Sequence, residues 1–292
     1  MTMTCNLVEP TPRRRVRRVF SCGALGLFAF AFVSAANPPL PSAATASAAD
    51  TPIVLVQATT TLPTKVGAVP ASPMEEPIRL LTAAKQAMAD VKDYSCVLVK
   101  KEKMGDKPPI ENVMTLKVRA EPFAVNLRFV EPKALAGQEV VYVAGKNDGK
   151  MRVKSAGFLG NLGFVSLDPA DARAKATSKH GITESGLANM IERFVVGWDK
   201  ERKVNVTKVR LADYEFNKRK CTRVETIHLE NPENQFLFYR SVVFFDKETH
   251  LPIRVECYDW PAKDGDAGEL VEVFSYVNLR LNVGVGDEVF DH

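Results

Sequence analysis

Three histidines and many scattered carboxylates are the residues best suited to chemistry in this sequence, and neither group forms a known signature. His180, His228 and His250 lie far apart, and none has a second ligand at metal-binding spacing. The chain contains no Gly-x-Ser-x-Gly, His-Glu-x-x-His or Cys-x-x-Cys sequence. We therefore predict no catalytic residue, no metal ligand and no cofactor. A hydrolase whose site is assembled only by folding stays open as an alternative.

Three cysteines follow the N-terminal region, at Cys96, Cys221 and Cys257. The strands predicted at 221–229, 236–245 and 253–259 would form a meander, with Cys221 and Cys257 on either side of the middle strand. Two strand spacings amount to about 9.6 Å, which is beyond the Cα separation of a disulfide. We predict that these two cysteines are not bonded to each other.

Glycines at 157, 160 and 163 punctuate an apolar loop. Its large side chains are Phe158, Leu159, Leu162 and Phe164. No Lys-Ser or Lys-Thr follows, so the loop does not match a phosphate-binding loop. Large apolar side chains are costly to expose to water, so we expect this loop to cover something. Two interpretations stay open: a mobile flap that gates an apolar cavity, or a plain loop packed on the core.

Alternating apolar residues place a predicted hairpin next to that loop. Apolar residues recur at every second position before and after the Ala120-Glu121-Pro122 link, which is typical of half-buried strands. The residues of one face are Met114, Leu116, Val118, Val125, Leu127 and Phe129. We predict that they line the cavity that the loop gates. The alternative is that the same residues pack into a solid core.

The remaining pattern is a meander interrupted once by helices. Ser72 precedes a helical apolar stripe, Asp168-Pro169 and Thr183 are predicted to cap two further helices, and Ile182 is placed to pack on Leu187. Further strands are predicted at 94–101, 140–144, 151–154, Val204 with Val206, 221–229, 236–245, 253–258 and 270–277. The order predicts an α+β fold, a strongly curved antiparallel sheet whose concave face is covered by helices.

The N-terminal region has the composition of a targeting segment. Residues 1–48 combine a cluster of five arginines with an apolar stretch, which is typical of a signal peptide, and Arg17-Arg18-Val19-Phe20 partly resembles a twin-arginine signal. An uncleaved membrane anchor is the alternative, because the apolar stretch approaches the length of a span. Residues 49–73 are rich in proline, alanine, serine and threonine and are predicted to be a disordered spacer. Residues 74–292 are predicted to form a single β-rich domain.

The net charge comes from the N-terminal region. Of 39 basic and 35 acidic residues, five basic and one acidic lie in residues 1–48, which leaves 34 of each in the remainder. This balance gives no reason to expect a nucleic-acid partner. We expect membrane contact only through the N-terminal segment, if it is not cleaved.

Several short stretches carry a family resemblance: Lys117-Val118-Arg119 with Pro122-Phe123, Gly137 to Val143, Asn147 to Lys150, Leu167-Asp168-Pro169, His180 to Thr183 with Gly186-Leu187, Leu251 to Arg254, Asp259-Trp260-Pro261 and Tyr276 to Asn282. Together they resemble a bacterial domain-of-unknown-function family that looks related to the LolA-like outer-membrane lipoprotein carriers. The resemblance implies a half-barrel of antiparallel strands with a helical lid over an apolar cavity for acyl chains.

These observations favour an exported, non-enzymatic protein of the periplasm or cell envelope that binds an apolar ligand. The expected partner is a lipid or a lipoprotein acyl chain, with a carrier-like or sensor-like role. The alternative is a structural or interaction module with a filled core and no ligand. An envelope hydrolase is the third interpretation, and the pattern assigns no oligomeric state.

Overall fold

The computed structural model describes residues 72–105, 108–175, 178–229, 236–263 and 265–292. The predicted targeting segment and almost all of the predicted spacer lie outside the described residues. Within them, eleven strands form one antiparallel sheet. In chain order the strands are β1 (Asp93–Glu102), β2 (Ile110–Arg119), β3 (Ala124–Glu131), β4 (Glu139–Val143), β5 (Met151–Lys154), β6 (Phe164–Leu167), β7 (Thr207–Phe216), β8 (Arg219–His228), β9 (Arg240–Asp246), β10 (Pro252–Tyr258) and β11 (Leu270–Leu281).

The sheet consists of two meanders that meet at β1 and β11. The strand order is β6-β5-β4-β3-β2-β1-β11-β10-β9-β8-β7, so β6 and β7 are the two edges. The chain between β6 and β7 must therefore cross from one edge of the sheet to the other. That crossing carries the helices α2 (Ala172–Lys175) and α3 (Leu187–Val204), while α1 (Glu75–Ala89) precedes the sheet. The open, curved antiparallel sheet with helices confirms the predicted fold class.

The main core lies between the helices and one face of the sheet. Leu81 and Ala84 of α1 and Leu187, Ile191 and Trp198 of α3 are buried together with residues of both meanders. A Lys85–Glu192 ion pair of 2.7 Å also joins α1 to α3. Burial of this apolar surface is the main force that holds the helices on the sheet.

A second, smaller core lies on the opposite face of the sheet. It contains Ala124, Val141, Val143 and Phe290, and Phe164 packs against it. Adjacent residues of a strand point to opposite faces, so Val141 lies on this face while Val140 lies on the helix-covered face. The C-terminal residues therefore cover part of the sheet that the helices leave bare.

Several predicted boundaries are wrong, each for a local reason. The first helix begins at Glu75, because Ser72 forms a turn whose carbonyl accepts the Glu75 N–H at 3.0 Å. Thr183 lies in a separate 3-10 helix, Ile182–Glu184, and does not cap α3. Val204 ends α3 and is not in a strand.

Candidate functional site

The first hairpin brings the six predicted ligand residues onto one face of the sheet. Its register pairs Met114 with Phe129, Leu116 with Leu127, and Val118 with Val125, so every pair shares a face. The face is the one covered by α1 and α3. The alternation of apolar residues was sufficient to predict this arrangement, because side chains of a strand repeat with a period of two.

A cavity of about 140 Å³ lies over part of this face. Its apolar wall is formed by side chains from six strands: Leu98, Met114, Leu127, Phe129, Val140, Met151, Phe274 and Tyr276. Three of the six predicted hairpin residues therefore line the cavity. The other three, Leu116, Val118 and Val125, are buried farther along the same face and do not line it.

A second, more polar part of the cavity lining comes from the edge-to-edge crossing. We call this segment the roof and define it as the described residues between Pro169 and Gly186, many of which line the cavity. With Arg193 of α3, it contributes the side chains of Lys175, Ser178, His180 and Glu184. Lys100 and Gln138 also line the cavity, so polar groups occur beside the apolar side chains of the sheet as well as on the crossing. Such a lining suits a ligand that has both an apolar part and a polar part.

Polar contacts attach the roof to the central strands. Ser178 accepts a hydrogen bond from the Lys100 ammonium at 3.0 Å. Lys179 and His180 both contact the Glu272 carboxylate of β11, at 3.1 and 3.3 Å. Burial disfavours the charged form of Glu272, but the hydrogen bond from His180 and the nearby positive charge of Lys179 outweigh this effect and lower its pKa.

Glu272 lies directly opposite another buried carboxylate, Glu102 of β1, in the β1–β11 register. Lys100 contacts Glu102 at 2.9 Å and so offsets part of the repulsion between the two acids. A pair of carboxylates can act as general acid and base when both face the reacting bond. Neither Glu102 nor Glu272 lines the cavity. Glu272 contacts the roof directly through Lys179 and His180, and Glu102 contacts Lys100, which also bonds Ser178.

The glycine-punctuated loop does not border the cavity in this structure. Residues Gly157–Leu162 form a 3-10 helix, and Phe164 already belongs to β6. Phe158, Leu159 and Leu162 are exposed, with relative exposures of 82%, 47% and 64%, and none of them lines the cavity. Phe164 lies on the opposite face of the sheet, stacked on His292 at 4.5 Å. Gly157 and Gly163 both have positive φ, a backbone conformation that favours glycine.

His180, His228 and His250 lie in different environments. His228 is buried, donates from Nδ1 to the Phe238 carbonyl at 2.7 Å, and lies 3.1 Å from Glu201. His180 belongs to the roof, whereas His250 is in the turn after β9. In the part of the chain that the structure describes, no group of three or more His, Cys, Asp or Glu side chains could hold a metal ion.

Among the described residues the cysteines are Cys96, Cys221 and Cys257, and all three are free thiols in buried positions. Cys221 pairs with Asp246 and Cys257 with Ser241 on either side of β9, so the two are separated by a strand and by five positions along it. This register agrees with the prediction that they cannot bond. Burial raises the pKa of Cys96 to about 12 and raises those of Cys221 and Cys257.

Several cavity residues were missed from the sequence. Leu98 continues the alternation of Tyr94 and Cys96 in β1, so its face could have been predicted, but its position beside Tyr276 depends on the pairing of β1 with β11. The roof residues Lys175 and His180 carry no periodic signal.

Among the described residues, no helix is both long enough and apolar enough to cross a membrane.

Comparison with solved structures finds similarities of low identity. An uncharacterised conserved protein from Thermus thermophilus is 8% identical, with a TM-score of 0.42 over 75% of this chain and 94% of that chain. The lipoprotein LppX from Mycobacterium tuberculosis is 11% identical, with a TM-score of 0.40 over 73% and 99%. A LolA superfamily protein from Nitrosomonas europaea is 11% identical, with a TM-score of 0.35 over 74% and 97%.

Among curated proteins, none matches this sequence. A family model described as "Protein of unknown function (DUF1571)" matches residues 91–292, which is more than half of the chain and includes the whole crossing and all eleven strands. The chain therefore belongs to the DUF1571 family.

Proposed function

We propose that this protein is an exported envelope protein that binds the apolar part of a lipid or a lipoprotein acyl chain, as a carrier or sensor and without catalysis. The cavity is the observation that supports this proposal. Its apolar wall is built from six strands, and its roof supplies charged groups. Pockets for small ligands combine these two features, a mostly apolar lining and a few placed polar groups.

The size of the cavity limits what it can hold in this state. An apolar cavity of about 150 Å³ accommodates one benzene ring, and pockets for larger ligands measure roughly 300–1,000 Å³. A volume of about 140 Å³ therefore suits the end of an acyl chain. Binding of a longer stretch requires the roof to move outward, and the contacts of Ser178, Lys179 and His180 are those that must yield.

We also propose that the protein is exported and that it acts without catalysis. The arginine cluster and apolar stretch in residues 1–48 support export to the envelope. The buried carboxylates Glu102 and Glu272 are engaged by Lys100, Lys179 and His180 rather than presented to the cavity. A binding role without chemistry is consistent with that arrangement.

One observation favours the alternative of a structural module with a filled core. Leu116, Val118 and Val125 are already buried beneath the helices, so half of the predicted hairpin face is closed to any ligand. The two functions differ in whether the remaining space beside Leu127 admits an apolar molecule.

The experiment is a cavity-filling substitution of Leu127, tested with a fluorescent long-chain fatty acid. Leu127→Trp places a larger apolar side chain in the cavity without burying a charge, and Leu127→Met is the volume-conserving control. We expect the full chain to bind the probe saturably, Leu127→Trp to lower the affinity at least about tenfold, and Leu127→Met to change it little. Equal binding by the parent and Leu127→Trp, with the fold retained by circular dichroism, would favour the filled core.

A further inference from the structure

The turn between β5 and β6 presents a compact group of exposed apolar side chains. Phe158, Leu159 and Leu162 have relative exposures of 82%, 47% and 64% within five consecutive residues. Single exposed apolar residues are ordinary on a protein surface, but a contiguous group of them indicates a surface that contacts another apolar surface or a membrane. We call these three side chains the apolar knuckle.

The backbone of the apolar knuckle is fixed by its glycines. Gly160 is buried, and a Cβ atom at this position would lie 2.6 Å from the Ser155 carbonyl oxygen. The Gly163 N–H donates to the Gly160 carbonyl at 3.1 Å and closes the turn. The large side chains therefore project outward from a defined turn, because the inner position is reserved for glycine.

The β5–β6 hairpin that carries the apolar knuckle contains several basic residues. Residues 149–167 contain Lys150, Arg152 and Lys154 and no acidic residue. The aliphatic part of Lys154 lies against Gly160, and its ammonium lies 5.9 Å from the centre of the Phe164 ring. Cations beside protruding apolar side chains complement a surface that carries negative charge above an apolar layer.

The same hairpin reaches the cavity. Met151, the first residue of β5, lines the cavity wall, and the apolar knuckle begins shortly after the last residue of that strand. The apolar knuckle and one residue of the cavity wall are thus carried by the same hairpin.

We propose that the apolar knuckle docks on an anionic lipid bilayer, with Phe158, Leu159 and Leu162 inserted at the boundary between headgroups and acyl chains. Its convex shape suits insertion into a fluid phase better than a fit against a rigid protein groove, and its three cations match anionic headgroups. This contact is additional to the one expected of the N-terminal segment, and it does not depend on whether the cavity binds a ligand.

The test uses tryptophan as a local reporter in the full chain. Phe158→Trp places the reporter in the apolar knuckle, and Val196→Trp places it at an apolar, 72% exposed position on α3 as a control. Phosphatidylcholine vesicles are prepared with and without phosphatidylglycerol and with brominated acyl chains, and the parent protein supplies the background from Trp198 and Trp260. We expect a blue shift and bromine quenching for Phe158→Trp with anionic vesicles, and neither effect for Val196→Trp.

The contribution of charge is measured with Lys150→Gln combined with Lys154→Gln in the Phe158→Trp protein. Each lysine near an anionic surface contributes about fivefold to binding, so we expect roughly twentyfold weaker partitioning. Unchanged emission of Phe158→Trp with anionic vesicles, or equal changes at Phe158 and Val196, would overturn the proposal. A concentration-dependent blue shift without vesicles would also overturn it, because the apolar knuckle would then meet a second copy of the chain.

Discussion

The Tyr94 hydroxyl accepts a hydrogen bond of 2.8 Å from the backbone N–H of Leu187. This contact joins β1 to the first residue of α3, where no residue near in sequence provides a side-chain cap. The first N–H groups of a helix have no partner within the helix, and here one is satisfied by a side chain 93 residues away. The start of α3 and the end of the roof are therefore fixed by a strand of the sheet.

Loss of this hydroxyl should destabilise the domain. Tyr94→Phe keeps the ring but leaves the buried Leu187 N–H without a partner, so we expect the free energy of unfolding to fall by about 1–3 kcal/mol. Urea denaturation measures the change. Tyr214→Phe is the matched control, because Tyr214 is half exposed, and its effect should stay within about 0.5 kcal/mol. Equal stabilities of the two variants would show that Tyr94 does not support α3.

Acid should weaken the attachment of the roof through Glu272. Its pKa is lower in the folded protein than in the unfolded chain, so its contribution is present above about pH 4.3 and is lost as the pH falls through the folded pKa. Glu272→Gln should lower the free energy of unfolding by about 1–3 kcal/mol at neutral pH, with the difference from the parent disappearing in acid.

Urea denaturation of both proteins between about pH 6 and about pH 3 measures that difference. Asp246 and Glu225 also have lowered pKa values and will weaken both proteins in acid, so the difference between them isolates Glu272. A constant difference across the pH range would contradict the role given to the carboxylate charge.

Asp246 should stabilise the turn between β9 and β10. Its buried carboxylate accepts hydrogen bonds from the Thr249 and Glu248 N–H groups at 2.7 and 2.9 Å and contacts the Arg219 guanidinium. Asp246→Ala should lower the free energy of unfolding by about 2–3 kcal/mol. Glu248→Ala, at an exposed position of the same turn, should change it by no more than about 0.5 kcal/mol. A similar loss in both variants would contradict this account.

The three buried thiols should resist alkylation in the folded protein. Cys96, Cys221 and Cys257 are buried, and burial raises the pKa of each thiol, so little reactive thiolate is present at neutral pH. We expect iodoacetamide to label their peptides only after denaturation, as measured by mass spectrometry. A linked peptide containing Cys221 and Cys257 in protein purified without reductant would contradict the register of β8, β9 and β10.

The parts of the fold that could be predicted from the sequence are those in which the burial of the side chains follows the spacing of the apolar residues. In β2, Met114, Leu116 and Val118 are buried and alternate with more exposed residues, so the hairpin face was clear from the sequence. The strand Thr207–Phe216 was missed because it is the edge of the sheet, where Leu211 and Tyr214 are exposed and burial does not alternate. Val204, the last residue of α3, was assigned to a strand because it and Val206 alternate with polar residues.

The candidate site was only partly predictable because it joins distant parts of the chain. Met114, Leu127 and Phe129 come from one hairpin, but Phe274 and Tyr276 reach the cavity through the pairing of β1 with β11. No local pattern specifies that pairing. The exposure of Phe158 was also missed, since hydrophobicity alone does not specify which way a loop side chain points.

The most direct test of the proposed function is mass spectrometry of lipid extracted from the denatured full chain after purification from the cells that produce it. The cavity beside Leu127 predicts that the parent protein carries an acyl lipid in roughly stoichiometric amount, and that Leu127→Trp, purified in the same way, carries much less. Leu127→Met should retain the lipid. A parent protein free of lipid, or equal amounts of lipid on the parent and on Leu127→Trp, would contradict binding in this cavity.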